Sequence, residues 1–186
     1  ESFGHRRLIT GIIPFFMNYI RIWDRHAADR VDYFLANSDC VAKRIAKYYR
    51  RTAEVVYPPA DVSEIIACAK NVPAVKPEKF FLMVGRFLPY KRFDLAIAAF
   101  NELGLPLKII GDGPEKSRLK KMAKPNVEFF DFVVDKKRLI DYYRDCEALV
   151  FPQEEDFGIT AVEAMAAGKP VIAYRGGGAL ESVIEN

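Results

Sequence analysis

Cysteine and histidine are scarce in this chain of 186 residues. Its three cysteines, Cys40, Cys68 and Cys146, are far apart and show neither CxxC nor Cys/His spacing. This argues against a disulfide framework and a zinc site, and it favours a reducing, cytoplasmic compartment. The two histidines, His5 and His26, both lie near the start of the chain. We expect them to be structural or exposed, with no His-based triad and no metal cage.

The chain also lacks an apolar run long enough to cross a bilayer. The longest run, LITGIIPFFMNYI, occupies residues 8–20, whereas a spanning helix needs about 20 residues. Pro14 interrupts this run and Arg21 closes it, so we expect a buried or surface-lying helix. No signal peptide is visible. Because the first residue is Glu1 and not Met, we expect a piece of a longer protein.

An excess of charge of one sign is nearly absent, since the net charge is only +3. Residues 1–57 hold ten Lys or Arg against six Asp or Glu, and the remainder holds 18 against 19. This excess is too weak to indicate nucleic-acid binding. It could favour peripheral attachment to an anionic membrane surface through Arg6, Arg7, Arg21 and Arg25, and an ordinary solvated surface is the alternative.

The two common glycine signatures of nucleotide binding are missing as well. The chain has no GxGxxG and no GxxxxGK[ST] sequence, so neither a dinucleotide fingerprint nor a P-loop is supported. What the chain has is apolar residues, at 51% of the total. That is enough to bury one sizeable core or two modest ones.

From residue 80 onward, short apolar runs alternate with amphipathic segments. The runs FFLMVG, LKIIG, NVEFF, ALVFP and PVIAY are typical of buried strands. Helices are expected between them, for example over residues 91–103, where Phe93, Ile97 and Phe100 have helical spacing. Asp135 is expected to cap another of these helices. The alternation predicts an α/β fold with a Rossmann-like, doubly wound parallel sheet.

The first part of the chain follows a related but incomplete pattern. An apolar helix, the strand DYFLANS, the helix CVAKRIAKYYRR and the strand AEVVYPP are expected over residues 10–57. Prolines and the lack of a steady period then indicate a boundary or linker between residues 58 and 78. With so few strands, residues 1–62 are expected to be the trailing elements of one domain plus the linker, and residues 63–186 a second domain. An exposed sheet edge could favour homo-oligomers.

In an open parallel sheet, ligands bind outside the carboxyl ends of the strands. Arg86 lies at the tip of the first strand of the second domain, and Lys91 at the start of the helix that follows. These cations could hold a diphosphate, or they could be ordinary surface charges. Gly111 opens the turn GDGPE after the next strand, and Gly158 lies at a helix start, where backbone N–H groups can approach an anion closely.

Two glutamates flank that same helix start. Glu155 lies in the preceding loop, and Glu163 lies roughly 6 Å further along the helix axis. Carboxylates accept hydrogen bonds from neighbouring hydroxyl groups, so the pair would suit the ribose and the sugar of a nucleotide sugar. A charged loop and a glutamate on a solvated helix face are an equally good interpretation of these two residues taken alone.

The pattern Glu155-x7-Glu163, within EEDFGITAVEAMAAGKPVIAYRGGGALESV, resembles the donor-site motif of the retaining glycosyltransferases of family 4, which have the GT-B fold. NSDCVAKRIAKYY, VVYPPAD, VGRFLPYKR, IIGDGPE and ALVFP match further landmarks of that family in order, so the resemblance covers nearly the whole chain. It implies that residues 1–62 end an acceptor-side domain and that residues 63–186 form most of the donor-binding domain.

The resemblance also implies a role for each matching residue. Arg86, Lys91 and Glu155 would be catalytic: the two cations would bind the donor diphosphate and stabilise its growing negative charge, and Glu155 would hold the sugar hydroxyls. Glu163 would hold the ribose hydroxyls. The remaining donor contacts are expected from Gly111, Val133 and the backbone of Phe157, Gly158 and Ile159, with Val133 beside the base. The family usually has glycine where Asp131 stands, which affects the loop on the base side.

The acid-rich FPQEEDFGI most resembles mannosyltransferases that build cell-surface polysaccharides from GDP-mannose, and enzymes that use UDP-sugars differ little here. We therefore expect a glycan or lipid-linked acceptor, no metal and no cofactor. The family's catalytic histidine belongs to the other domain, so this chain alone is expected to be inactive. Two alternatives stay open: a nucleotide-sugar-binding module without activity, and a GT-B relative with other chemistry, such as an epimerase or a pyridoxal-phosphate-dependent phosphorylase.

Overall fold

The computed structural model describes residues 3–70 and 79–184, with side chains from residue 13 onward. The chain divides into two compact units, Glu1–Val56 and Tyr57–Asn186. The assignment of the first unit to an acceptor-side domain stays a prediction.

The first unit contains two helices and a pair of short parallel strands. Its elements are α1 (Phe3–Ala28), β1 (Leu35–Ala36), α2 (Asp39–Tyr49) and β2 (Glu54–Val55). The buried Ser38 caps α2, since its hydroxyl accepts a hydrogen bond from the Val41 N–H at 3.1 Å. The strands are shorter than the sequence predicts. The expected helix is present as α1, and it continues through Pro14.

The second unit follows the predicted alternation of strands and helices. Its elements are α3 (Val62–Lys70), β3 (Phe81–Val84), a 3-10 turn (Pro89–Lys91), α4 (Phe93–Leu103), β4 (Leu107–Ile110), α5 (Lys116–Met122), β5 (Val127–Phe130), α6 (Lys136–Asp145), β6 (Leu149–Phe151), α7 (Ile159–Ala166), β7 (Val171–Ala173) and α8 (Ala179–Ser182). The expected cap of α6 is confirmed, because the Asp135 carboxylate accepts a hydrogen bond from the Lys137 N–H at 3.0 Å.

Five strands form one sheet in the order β5-β4-β3-β6-β7, and every neighbouring pair is parallel. The predicted doubly wound parallel sheet is confirmed. From β3 the chain adds strands outward in one direction to β5, and then returns to place β6 on the other side of β3. This reversal between β3 and β6 is the switch point, where the loops after two adjacent strands diverge and leave a crevice.

Alternating side chains of the strands build one core on each face of the sheet. Leu82 and Met83, consecutive in β3, belong to different cores, as do Val150 and its neighbour Leu149 in β6. Helices α3, α6 and α7 cover the core that contains Leu82, and α4 and α5 cover the other. The near-continuous apolar strands of the sequence are explained by this burial on both faces.

Three local expectations differ from the structure. Helix α3 occupies a stretch in which the sequence shows no steady period, and Ile65 is its one buried side chain. The helix expected from residue 91 begins at Phe93, because Pro89–Lys91 form a 3-10 turn and Arg92 adopts a left-handed φ of 54°. The helix expected to open at Pro114 begins at Lys116. Within residues 3–70 and 79–184, no helix combines the length and the apolar character needed to cross a membrane.

Candidate active site

The loops after β3 and β4 are joined by backbone hydrogen bonds at the C-terminal edge of the sheet. The Phe87 N–H donates to the Asp112 carbonyl at 2.8 Å, and the Glu115 N–H donates to the Phe87 carbonyl at 3.2 Å. Gly113, with φ of 155°, lies so close to the Phe87 backbone that a Cβ atom would overlap it. Gly111 lies against the Gly85 carbonyl in the same way. The glycines of GDGPE therefore permit the close approach of two loops.

A cavity of about 560 Å³ opens at the switch point of the second unit. It is lined by residues from the ends of β3 and β4, from the loop after β5 and from α6 and α7: Val84, Gly85, Arg86, Ile110, Asp112, Gly113, Phe132, Val133, Leu139, Tyr143, Thr160 and Glu163. Most of its lining is apolar, with a few polar groups converging on it. This size and this chemistry suit a small-molecule ligand.

Arg86 lies at the rim of this cavity, at the tip of β3, as expected from the sequence. Its side chain is exposed and makes no hydrogen bond or ion pair with any residue in the described part of the chain. A guanidinium group offers five N–H donors in a rigid, planar arrangement. All the N–H donors of Arg86 are thus available to bind an anion in the crevice.

Lys91 and Glu155 meet in front of the switch point. Lys91 ends the 3-10 turn after β3, Glu155 lies in the loop after β6, and the Lys91 Nζ pairs with the Glu155 Oε1. Each side chain is only 19% exposed. The sequence predicts that these two residues make separate contacts to the diphosphate and to the sugar, and in the structure each is the partner of the other.

The acidic loop that carries Glu155 rests on the glycine-rich loop after β7. The Gly178 N–H donates to the Glu155 carbonyl at 2.8 Å. Cβ atoms built at Gly177 and Gly178 would overlap the backbone of Glu155 and Asp156, respectively. Only glycine allows the two loops to approach this closely, so Gly177 and Gly178 are needed for the acidic loop to pack on the loop after β7.

Helix α7 begins directly after this loop. Gly158 precedes it with a left-handed φ of 94° and lies over the ring of Phe151. No hydrogen bond from the backbone N–H groups of Phe157, Gly158 or Ile159 to another residue occurs in the ranges that the structure covers. These N–H groups and the positive end of the helix dipole remain available to an anion. The Phe157 ring packs on that of Tyr57, with centroids 5.6 Å apart.

Glu163 lies on the second turn of α7 and lines the cavity. Its Oε2 accepts a hydrogen bond of 2.8 Å from the hydroxyl of Tyr143 on α6. Burial raises the pKa of the Glu163 carboxyl, and the Tyr143 hydrogen bond and the charge of Lys136 partly oppose that rise. Glu163 is therefore a half-buried acceptor in the crevice and not a residue of a solvated helix face.

Val133 lines the cavity beside Phe132, where the sequence predicts a contact with the base. The neighbouring Asp131, which replaces the usual glycine, points to solvent and binds the Lys116 Nζ at 2.6 Å. Lys116 also pairs with Asp112 at 3.2 Å. The hydrogen bond from the Gly113 N–H and then Lys116 lower the pKa of the Asp112 carboxyl, and Lys116 lowers the pKa of the Asp131 carboxyl. A chain of ion pairs thus borders the cavity beside Asp112. Gly111 is not among the residues that line it, and its contact with a donor stays a prediction.

Possible metal ligands are not grouped in the described residues: no three His, Cys, Asp or Glu side chains come together there. Arg86 is a positively charged residue of the cavity lining, and Lys91 carries a second positive charge in the 3-10 turn that follows β3. His26 is exposed on α1, and the side chain of His5 lies outside the described residues.

Solved structures with the same fold identify the class of domain. HepE from Anabaena, solved in complex with UDP and glucose, superposes with a TM-score of 0.68 at 23% identity, covering 83% of this chain and 47% of its own. This match supports the fold alone. It places the parallel sheet and its switch point among the GT-B glycosyltransferase domains.

The family follows from the sequence. Residues 67–186 match the family described as "Glycosyl transferases group 1", and the chain belongs to it. An uncharacterised glycosyltransferase of Methanocaldococcus jannaschii is 38% identical over 110 residues, which are 57% of this chain and 31% of that protein. O-antigen chain mannosyltransferase C of Escherichia coli is 27% identical over 159 residues, 75% of this chain and 43% of its own length. Relatives from Dictyostelium discoideum and Mus musculus are also named mannosyltransferases. The chain spans less than half of the length of the Methanocaldococcus jannaschii and Escherichia coli relatives.

Tyr143, Thr160 and Gly178 are among the residues of this site that the sequence-based prediction does not include. Tyr143 and Thr160 line the cavity, and Gly178 supports the acidic loop. Tyr143 lies mid-helix in an amphipathic segment, where an aromatic residue ordinarily indicates core. The glycine run before residue 179 was a stronger signal, because three successive glycines after a strand indicate a close backbone approach.

Proposed function

We propose that this chain is the donor-binding part of a retaining glycosyltransferase that transfers a hexose, mannose from GDP-mannose, to a glycan or lipid-linked acceptor in polysaccharide biosynthesis. One observation carries the proposal. Arg86 and Glu163 line one cavity at the switch point of a parallel sheet, and the Lys91–Glu155 ion pair joins the loops that follow β3 and β6, the two strands of that switch point. A nucleotide sugar needs cations for its diphosphate and carboxylates for the hydroxyls on both sides of it.

In the proposed reaction, the diphosphate lies against Arg86, Lys91 and the N–H groups at the start of α7. The bond between the anomeric carbon and the diphosphate oxygen breaks, and a bond to the acceptor hydroxyl oxygen forms on the same face of the sugar. The leaving diphosphate oxygen takes the proton of that hydroxyl. Arg86 and Lys91 stabilise the negative charge that accumulates on the leaving group.

Mannose is supported by the acidic stretch FPQEEDFGI and by the relatives named mannosyltransferases, of which the mouse protein is named for GDP-Man. A UDP-sugar is the second candidate, because the HepE structure holds UDP and glucose. Since the chain spans only part of its relatives, transfer is expected from a longer chain that includes the acceptor side. This chain alone is expected to bind the donor without turning it over.

Attachment to the inner membrane face is the proposed reason for the exposed apolar side chains of α1. Phe15, Phe16 and Trp23 are each more than half exposed on this helix. Aromatic and apolar side chains next to arginine suit a lipid surface. Sedimentation with vesicles containing anionic lipid should decrease when Arg21 and Arg25 are neutralised, and unchanged sedimentation would remove this part of the proposal.

The direct test is calorimetric titration with GDP, UDP, GDP-mannose and UDP-glucose, repeated on Arg86→Ala and Glu163→Ala. Selective binding of GDP and GDP-mannose that both substitutions weaken would support the proposal. Selective binding of UDP and UDP-glucose would replace the donor and leave the reaction class. If a longer chain binds none of the four ligands, the proposal fails.

A further inference from the structure

We propose that Tyr143 is a positioning residue that holds the Glu163 carboxylate in the orientation needed to bind the ribose hydroxyls of the donor nucleotide. This inference rests on the proposed function of the crevice. It assigns a role to a core tyrosine of α6 that the donor-site motif does not include.

The first argument is where the hydroxyl of Tyr143 lies. The side chain is 1% exposed and packs in the core under α3, α6 and α7, where a phenylalanine would fill the same space. Tyr143 and Glu163 nevertheless both line the cavity, and the Tyr143 hydroxyl donates to the Glu163 Oε2 at 2.8 Å. Among the described residues, Glu163 is its hydrogen-bond partner. Burying a hydroxyl costs desolvation free energy, and the hydrogen bond to Glu163 compensates for that cost.

The second argument is geometric. A glutamate side chain has three rotatable bonds, and ordering such a side chain costs conformational entropy. The hydrogen bond fixes Oε2 against α6 and leaves Oε1 and the remaining lone pairs for a ligand. Since Glu163 is held before the nucleotide arrives, binding does not have to order the carboxylate again.

The third argument is the charge state of Glu163. Burial favours its neutral form, and Asp61 acts in the same direction. The Tyr143 hydroxyl and Lys136 favour the ionised form. Lys136 is itself held by Asp61 and Glu64, each at 2.5 Å. Removing the hydroxyl would raise the pKa of Glu163 further, and the carboxylate would be lost at a higher pH.

The test compares nucleotides that differ only in one ribose hydroxyl. GDP, UDP and their 2′-deoxy forms are titrated into the wild-type chain and into Tyr143→Phe, Tyr142→Phe and Glu163→Gln. Tyr142 is the matched control, because it is the neighbouring tyrosine on the same helix and does not line the cavity. Inorganic pyrophosphate, which has no ribose, reports whether the diphosphate side of the crevice is intact in every variant.

We expect the wild type to prefer the ribonucleotide over its 2′-deoxy form by about tenfold, as for one hydrogen bond to a charged group. In Tyr143→Phe this preference should fall to about twofold or less, with pyrophosphate affinity unchanged. The pH below which nucleotide binding is lost should be higher than in the wild type. Tyr142→Phe should keep both wild-type values.

The outcomes separate this inference from the proposed function. If neither the wild type nor a longer chain binds a nucleotide, both fail. If Glu163→Gln loses the ribose preference while Tyr143→Phe keeps the wild-type preference and pH dependence, the crevice function stands and Tyr143 is only a core residue. Should Tyr143→Phe fail to fold, 3-fluorotyrosine at position 143 keeps a more acidic hydroxyl. It should then shift the pH dependence downward, and an unchanged pH dependence would overturn the inference.

Discussion

The Lys91 Nζ forms an ion pair with the Glu155 Oε1 across the switch point, between loops whose residues are 64 positions apart in the chain. A donor diphosphate that reaches Lys91 must compete with this carboxylate. The pairing therefore predicts that the two residues have opposite effects on the binding of a nucleoside diphosphate without a sugar.

Glu155→Gln removes the competing charge and frees the Lys91 ammonium. We expect a nucleoside diphosphate to bind about two- to fivefold more tightly, as for the loss of one partly screened charge interaction. The transfer activity of a longer chain should fall, because the sugar hydroxyls lose their acceptor. Lys91→Met should weaken the same ligand and reduce the salt dependence of binding, and a weaker affinity in Glu155→Gln would mean that Glu155 contacts the nucleotide itself.

Arg86→Ala tests the exposed cation of the crevice. The loss of a charged donor to the diphosphate should weaken nucleoside diphosphate binding by about tenfold or more. The midpoint of chemical unfolding should hardly change, since the side chain is exposed and holds no residue of the described part of the chain. Arg138→Ala is the control, because Arg138 is exposed on α6 and does not line the cavity. Equal effects of the two substitutions would reduce Arg86 to a surface charge.

The raised pKa of Glu163 predicts a pH-dependent difference in stability. A carboxyl whose pKa is higher in the folded than in the unfolded state stabilises the fold at low pH, and this stabilisation is lost as the pH rises through the folded-state pKa. The unfolding free energy of Glu163→Gln minus that of the wild type should therefore be larger at about pH 7 than at about pH 4. Denaturant unfolding at both pH values measures this, with the exposed Glu128→Gln on β5 as control. A difference that does not depend on pH would contradict the prediction.

Gly178→Ala tests the support of the acidic loop. The φ of Gly178 is −68°, which alanine adopts without strain, but its Cβ would overlap the Asp156 carbonyl and the Phe157 backbone. The acidic loop must move to make room. Nucleotide affinity should therefore fall even under conditions in which the variant is fully folded. Gly104→Ala is the matched control. An alanine at its φ of 67° costs about 1 kcal/mol of stability, but the added Cβ would meet no other part of the structure within 4 Å. It should lower stability and leave binding unchanged.

Periodicity was enough to predict the sheet. The apolar runs from residue 80 onward are short, continuous and separated by amphipathic segments, a pattern that is typical of strands buried on both faces. Because parallel strands end at one edge, the same pattern predicts that Arg86, Val133, Glu155 and Glu163 lie at that edge. Helix α3 was missed because its single buried residue, Ile65, gives no period to detect.

The sequence by itself therefore determined the fold class, the family and the charged residues at the crevice, because these follow from local pattern and from motif. Tertiary structure alone decided which of those charges meet. Lys91 pairs with Glu155, and Glu163 with the buried Tyr143, across distances along the chain that no local pattern encodes. The Lys91–Glu155 pair depends on the strand order, which brings the loop after β3 next to the loop after β6. It also depends on Gly177 and Gly178, which lack side chains and so allow the loop after β7 to support the acidic loop.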